Sequence, residues 1–187
     1  MHTIDPNAQI KLVAVDMDGT FLDGEGQIPE ASWALIDRLQ ERGIKFVPAS
    51  GRQFATLREQ FAPLGEIAII AENGTVVMHG ENEIYSNIIG KSSVDAVIQA
   101  VRAQSALDAG LVLCGRRTAY VERADEAFAA AIAPYYRAVQ VVDDLALVED
   151  EIIKMAINVG TGAVKEMATA LEVPLQVVIS GSHWVDA

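Results

Sequence analysis

The sequence is poor in cysteine and in basic residues. Its single cysteine, Cys114, excludes an internal disulfide framework and is typical of a reducing compartment. The 14 Lys and Arg residues are outnumbered by 26 Asp and Glu residues, which gives a net charge of −12. A chain this acidic repels the phosphates of nucleic acids and the surface of anionic membranes, so we expect neither as a partner.

The sequence also lacks the features of membrane insertion and secretion. Its longest apolar runs, such as Ile67–Ala71, are far too short to span a bilayer. The first nine residues carry neither a basic nor an apolar segment, so we expect no signal peptide and a cytoplasmic protein. The 187 residues, 51% of them hydrophobic, suffice for one ordinary domain, or a small domain with an appendage.

The first part of the chain alternates between short apolar runs and helical patterns. Buried strands are predicted over Lys11–Val15, Ile44–Ala49 and Ile67–Ala71. Helices are predicted over Pro29–Arg42 and Gln53–Phe61. This order is typical of a parallel sheet with crossover helices.

After residue 74 the pattern changes to adjacent strand pairs with helices between them. An Ala-rich helix is predicted over Ala124–Tyr136, and a strand over Lys154–Val159. Such a pattern indicates an α+β module with a largely antiparallel sheet. We assign residues 1–82 to the parallel-sheet core and residues 83–187 to this module.

The strongest chemical signal is the segment Asp16-Met17-Asp18-Gly19-Thr20, at the C-terminal end of the first strand. Parallel sheets bind ligands at this end of their strands. Two carboxylates so close together cannot both be buried unpaired, and Mg²⁺ would relieve that cost. One Asp could then attack phosphorus, and the other could protonate the leaving oxygen and later activate water. The alternative is a simple turn with Asx hydrogen bonds.

Polar turns also follow the second and third predicted strands. Ser50-Gly51-Arg52 offers a hydroxyl, a flexible backbone N–H and a helix start, which together suit an anion; a Ser N-cap needing no ligand is the alternative. Asn73-Gly74 is foremost a turn signal. All three strands therefore end in polar loops at the same edge of the sheet.

These motifs together resemble the haloacid dehalogenase-like superfamily, and most closely its Cof-type sugar-phosphatase branch. Val13–Thr20 is similar to the family's first motif, Ser50–Arg52 to its second, and Asn73-Gly74 to the turn before its cap. The resemblance implies an α/β fold with a Rossmann-like parallel core and an inserted α+β cap.

The resemblance also implies roles for individual residues. Asp16 would be the nucleophile and a Mg²⁺ ligand, and Asp18 the general acid and base, with its backbone carbonyl on the metal. The Met17 backbone N–H, Ser50 and Gly51 would hold the phosphoryl group of a small phosphorylated metabolite. Arg52 and Asn73 would line the substrate side.

The sequence departs from the family pattern at its end. The family has a Lys and an acidic Gly-Asp segment after the cap, whereas this chain stops at Ala187. Lys154 and Lys165 lie in predicted cap elements and do not match that Lys. We therefore expect a truncated chain with little turnover. We also expect Lys11–Val15 to be an exposed edge, which would make the chain unstable alone or self-associating.

Three other functions remain open from the sequence. A phosphomutase of the same superfamily would pass the phosphoryl group to a sugar. A non-catalytic phospho-acceptor resembling a response-regulator receiver would also place acids on a parallel sheet. The chain could also bind its ligand without turnover.

Overall fold

Two β-sheets form the framework of the protein. The computed structural model describes residues 9–187, so the expectation about a signal peptide falls largely outside the described residues. The first sheet has five strands in the order β1-β2-β3-β4-β5, and the second has six in the order β10-β11-β9-β6-β7-β8. None of the helices in the described range is both long and apolar enough to cross a membrane.

The first sheet contains the predicted parallel strands. Its strands are β1 (Leu12–Asp16), β2 (Lys45–Ala49), β3 (Ala68–Ala71), β4 (Val76–His79) and β5 (Asn82–Ser86), and its helices are α1 (Glu30–Glu41) and α2 (Phe54–Gln60). β1, β2 and β3 are parallel, and the hairpin β4–β5 extends the sheet in antiparallel fashion. α1 ends before Gly43, whose φ of 71° is the left-handed conformation that suits glycine after a helix. The predicted strand–helix alternation is confirmed.

The second sheet is largely antiparallel, as predicted. Its strands are β6 (Ala109–Gly115), β7 (Ala119–Val121), β8 (Val139–Val141), β9 (Ile152–Val159), β10 (Val178–Gly181) and β11 (Trp184–Asp186), and its helices are α3 (Lys91–Ala103), α4 (Glu126–Ile132) and α5 (Val164–Ala170). Within this second sheet, as far as the described residues show, only the pair β7–β8 is parallel.

One predicted helix was too long. The helix expected over Ala124–Tyr136 ends at Ile132, because Pro134 has no N–H with which to continue the helical hydrogen bonds. Tyr135 and Tyr136 therefore leave the helix. This matters for the site, since both tyrosines line a cavity beside the first sheet.

The two sheets share an apolar core. Alternate residues of β6 point to opposite faces: Val112 and Cys114 pack with first-sheet residues such as Met17 and Phe46. Leu111 and Leu113 belong to a separate cluster on the other face, together with residues of α3 and α5. The second sheet is therefore buried on both faces, and one face is held against the first sheet.

β1 lies at the edge of the first sheet, since β2 is its only strand neighbour among residues 9–187. Its side chains are exposed or half-buried, and Leu12 is 51% exposed. An edge with free N–H and C=O groups and apolar side chains invites pairing with another chain. The predicted exposed edge is confirmed, whereas self-association through it stays a prediction.

We expect the chain to self-associate through β1, and Leu12→Lys to shift it towards monomer because a charge on an edge strand opposes pairing. Sedimentation velocity over a range of concentrations measures the effect. Val141→Lys is the matched control, since Val141 is 57% exposed on β8, the edge strand of the other sheet. A stable monomeric wild-type chain would contradict the prediction.

The burial of Cys114 in the shared core predicts how the free energy of unfolding depends on pH. The thiol is fully buried, and burial is the main cause that raises its pKa well above the usual value. The unfolded chain loses this proton above about pH 8.5, whereas the folded chain keeps it. The free energy of unfolding should therefore fall with rising pH above about 8.5, with a slope approaching about 1.4 kcal/mol per pH unit.

Urea unfolding between pH 7 and pH 9.5 measures this slope. Cys114→Ala should lower the free energy of unfolding at pH 7 by leaving a small cavity, and it should flatten the slope above pH 8.5. An unchanged slope in Cys114→Ala would show that another group is responsible.

Candidate active site

Loops at the carboxyl ends of β1, β2 and β3 open onto one cavity of about 460 Å³. Each of these loops contributes predicted residues to its lining, which includes Asp16, Asp18, Ser50, Gly51, Arg52 and Asn73. The parallel register of the three strands explains this convergence, because it places their carboxyl ends at the same edge of the sheet.

The first loop presents both predicted carboxylates. Asp16 is the last residue of β1, and its Oδ2 accepts a hydrogen bond from the Thr20 hydroxyl at 3.0 Å. Gly19 has a φ of 75°, a conformation that glycine adopts without strain and that reverses the chain directly after Asp18. The chain reversal therefore leaves both acids at the cavity, where Asp16 is exposed.

Asp18 is paired with Arg52 through a two-pronged contact. Arg52 Nη2 donates to Asp18 Oδ1 at 2.6 Å, and Nε donates to Oδ2 at 3.1 Å. The Arg52 side chain is 8% exposed, because Nη1 also donates to the Pro134 carbonyl and the guanidinium lies over the Tyr135 ring. Arg52 is thus fixed between the first loop and the segment that follows α4.

Backbone hydrogen bonds join the second and third loops. The Asn73 N–H donates to the Ser50 carbonyl, and the Glu72 N–H donates to the Arg52 carbonyl, both at 3.1 Å. Gly51 lets Asn73 approach closely, because a β-carbon at this position would lie 2.5 Å from Asn73 Oδ1 and would displace that side chain. These contacts bring Asn73 beside the Ser-Gly-Arg loop, and its role on the substrate side stays a prediction.

Met17 is the predicted residue that does not line the cavity. Its side chain is fully buried in the shared core, packed among residues of the first sheet. The role assigned to it concerns its backbone N–H, and that role stays a prediction.

The acids fit part of a Mg²⁺ site. Magnesium takes hard oxygen ligands and is commonly held through one or two carboxylates together with waters and substrate phosphate. Asp16 and Asp18 supply such oxygens at the cavity, although Asp18 is also engaged by Arg52. No group of three or more His, Cys, Asp or Glu side chains suited to a metal occurs within the described part of the chain.

Sequence reasoning missed several residues that line the same cavity. They come from the segment after α4 and from the second sheet: Tyr135, Tyr136, Lys154, Ser180, Gly181, Ser182, His183, Trp184 and Asp186. Asp186 Oδ2 accepts a hydrogen bond from Asn73 Nδ2 at 2.8 Å, and the Tyr135 and Trp184 rings meet edge to face. The turn between β10 and β11 therefore forms the wall opposite the acids' loop.

Lys154 is the least expected of these residues. Its ammonium lies 2.5 Å from Glu72 Oε2, and the two side chains are 5% and 1% exposed. The contact is an ion pair. Neither carboxylate oxygen of Glu72 accepts a hydrogen bond of favourable geometry among residues 9–187. The sequence did carry a signal, since Lys154 is the one charged residue in the otherwise uncharged strand Ile152–Val159, and a buried charge needs a partner.

Burial shifts the pKa of both partners. Burial raises the pKa of Glu72, and the charge of Lys154 opposes part of that rise. Burial acts to lower the pKa of Lys154, but the negative charges around it, first that of Glu72, outweigh burial and raise it. Lys154 therefore stays an ammonium ion.

Comparisons with known proteins identify the family and the fold of this chain. A family model described as haloacid dehalogenase-like hydrolase matches residues 13–185. The chain is 29% identical over 177 residues to the 5-amino-6-(5-phospho-D-ribitylamino)uracil phosphatase of Escherichia coli (strain K12), which covers 93% of this chain and 65% of that relative. The chain thus spans 65% of the length of this curated relative.

Two solved structures share the fold. SMU.1108c from Streptococcus mutans UA159 matches with a TM-score of 0.82 at 23% identity, over 95% of this chain and 70% of that one. A haloacid dehalogenase-like hydrolase from Bacteroides thetaiotaomicron matches with a TM-score of 0.79 at 21% identity, over 95% and 70%. The predicted α/β class is confirmed, and the chain belongs to the haloacid dehalogenase-like hydrolase family.

Proposed function

We propose that this chain carries the nucleophile, the acid–base residue and the phosphate-binding loop of a Mg²⁺-dependent phosphatase. Its substrates are small phosphorylated metabolites such as sugar phosphates, and its intermediate is an aspartyl-phosphate. The observation that carries the proposal is the cavity in which Asp16, Asp18 and the Ser50–Arg52 loop meet. The similarity to a curated phosphatase supports the same reaction class.

In the first step, Asp16 attacks phosphorus. The Thr20 hydroxyl engages Oδ2, so we assign the attack to Oδ1. The Oδ1–P bond forms as the ester P–O bond breaks, and Asp18 gives a proton to the leaving oxygen. When bound, Mg²⁺ would neutralise the negative charge between Asp16 and the phosphoryl oxygens.

In the second step, Asp18 takes a proton from water as that water attacks phosphorus. The Oδ1–P bond breaks, orthophosphate leaves, and Asp16 is regenerated as a carboxylate. The Ser50 hydroxyl and the loop's backbone N–H groups would hold the phosphoryl oxygens in both steps.

Arg52 gives this site a way to respond to substrate. A guanidinium binds phosphate with the same two-pronged geometry with which Arg52 now binds Asp18. An incoming phosphate would therefore compete with Asp18 for Arg52. Asp18, once released, would be free to face the leaving oxygen.

The remaining walls favour a small polar leaving group. The β10–β11 turn brings Ser182 and His183 to the cavity, and Tyr135 with Trp184 adds an aromatic surface. Hydroxyl and imidazole groups suit sugar or polyol hydroxyls, and aromatic surfaces suit the apolar face of a sugar or heterocycle. The cavity of about 460 Å³ is in the range for small ligands.

Asp16→Asn should abolish formation of the phosphoryl-type adduct, because an amide cannot act as the nucleophile. Beryllofluoride, a phosphoryl mimic, should form an adduct with the wild-type chain and Mg²⁺ that is visible by ¹⁹F NMR even if turnover is slow. Hydrolysis of a sugar-phosphate panel and of 5-amino-6-(5-phospho-D-ribitylamino)uracil should fall by about 10³-fold or more.

Asp143→Asn is the matched control, since it removes the same charge from an exposed position away from the cavity. Undiminished adduct formation in Asp16→Asn would reject the proposed nucleophile. Product analysis separates the alternatives: orthophosphate indicates a phosphatase, an isomerised sugar phosphate indicates a mutase, and a long-lived phosphorylated chain indicates a phospho-acceptor.

Removing the divalent metal should abolish both beryllofluoride adduct formation and phosphate-ester hydrolysis. EDTA is expected to eliminate the beryllofluoride adduct, and excess Mg²⁺ to restore it. Ca²⁺ should restore it less well, because its longer bonds and higher coordination number suit a compact phosphoryl site poorly. Full adduct formation in EDTA would show that Asp16 and Asp18 do not act through a divalent cation.

A further inference from the structure

Lys154 belongs to β9 of the second sheet, yet it contacts the Ser50–Arg52 loop of the first. Its Nζ donates to the Gly51 carbonyl at 2.7 Å, pairs with Glu72, and lies 5.4 Å from the centre of the Tyr136 ring. A backbone carbonyl, a carboxylate and an aromatic ring thus surround the Lys154 ammonium group. Because the ammonium is charged, its hydrogen bond to the Gly51 carbonyl is stronger than one from a neutral donor.

The three carbonyls of the loop differ in what holds them. The Ser50 and Arg52 carbonyls accept backbone N–H groups of Asn73 and Glu72, which belong to the first sheet's own third loop. The Gly51 carbonyl instead accepts the Lys154 side chain. The middle peptide of the loop therefore depends on the second sheet for its orientation.

That peptide controls the Ser50 hydroxyl. The Gly51 carbonyl and the Arg52 N–H belong to one planar trans peptide and point in opposite directions. The Arg52 N–H donates to Ser50 Oγ at 3.1 Å, and Ser50 Oγ lies 3.5 Å from Asp18 Oδ2. Fixing the Gly51 carbonyl therefore fixes the donor that orients the Ser50 hydroxyl between the loop and Asp18.

From this chain of contacts we infer that Lys154 is a positioning residue of the active site. It acts from the second sheet through the Gly51–Arg52 peptide on the Ser50 hydroxyl. The phosphoryl-binding loop is thereby held in its binding geometry only when β9 lies against it. The effect on phosphate, though not the effect on the loop, rests on the proposed function.

The strand register of β9 places Lys154 on the face that meets the first sheet. Lys154 pairs directly with Cys114, and Ala156 pairs with Val112. Cross-strand partners lie on the same face of a sheet. Lys154 therefore shares the face of Cys114, which packs towards the first sheet, while Met155 belongs to the cluster on the opposite face.

The first test uses the ligand-free 187-residue chain. Lys154→Met alone would leave Glu72 buried and unpaired, so the test variant is Lys154→Met with Glu72→Gln, which removes both charges. We expect hydrogen exchange at the Arg52 amide to accelerate at least tenfold in this variant. The Met155 amide, bonded to the Ala187 carbonyl, should be unchanged and report on β9 itself.

Lys165→Met is the control, since it removes a lysine from an exposed position on α5. Arg52 exchange equal to wild type in the double variant would overturn the inference. Acceleration at both Arg52 and Met155 would also overturn it, because it would show general loosening of the second sheet.

The second test measures orthophosphate affinity in the presence of Mg²⁺ by calorimetry. We expect the double variant to bind orthophosphate at least fivefold more weakly than wild type. In a Ser50→Ala background the same pair of changes should cost less than twofold, since the hydroxyl through which Lys154 acts is already gone. Equal losses in both backgrounds would overturn the route through Ser50.

The two tests separate this inference from the proposed function. A wild-type chain that binds no orthophosphate with Mg²⁺ would count against the proposed function. The amide-exchange result would then decide on its own whether Lys154 positions the loop.

Discussion

The constraint that organises this protein is the placement of three acids at one edge of one sheet, in a chain that already carries a net charge of −12. Each acid is dealt with differently. Arg52 binds Asp18 with two hydrogen bonds, and Lys154 pairs with the buried Glu72. Within residues 9–187, the one side chain that bonds Asp16 is the Thr20 hydroxyl, and Asp16 is exposed at the cavity. Asp16 is therefore the acid best placed to act as the nucleophile, because its charge is not neutralised by a cationic side chain of the described residues and a cation and a phosphoryl group can still approach it.

The two compensating cations come from different parts of the fold, and this joins the two sheets electrostatically as well as through apolar packing. Arg52 is a first-sheet residue that also bonds the Pro134 carbonyl beyond α4. Lys154 is a second-sheet residue that bonds the Gly51 carbonyl of the first. Both members of the Lys154–Glu72 pair are buried, so removing one partner while the sheets stay together would cost far more than breaking an exposed ion pair. The same contacts that hold the two sheets together therefore also compensate the negative charges at the site.

The sequence was sufficient for the three parallel strands of the first sheet and for the loops that follow them, because apolar runs followed by turn-forming residues are local signals. It was not sufficient for the opposite wall. Lys154 and Asp186 reach the cavity through side-chain hydrogen bonds to residues more than a hundred positions away, Lys154 to Gly51 and Asp186 to Asn73. The Ala-rich run before Tyr135 favours a helix that includes it, but Pro134 has no N–H to continue the helical hydrogen bonds.

The third loop shows why such a site needs support from outside its own sheet. Glu72 and Asn73 both have positive φ, 51° and 59°. Asn tolerates this conformation, whereas Glu does so at a cost of about 1–3 kcal/mol. The consecutive left-handed residues send one side chain inward to Lys154 and the other to the cavity and Asp186. With ordinary backbone angles, Glu72 and Asn73 would not direct their side chains to these two places. The strained backbone is therefore needed for one loop to contact both the core and the cavity. Because Lys154 and Asp186 both belong to the second sheet, that sheet stabilises the strained loop on which the phosphate-binding geometry depends.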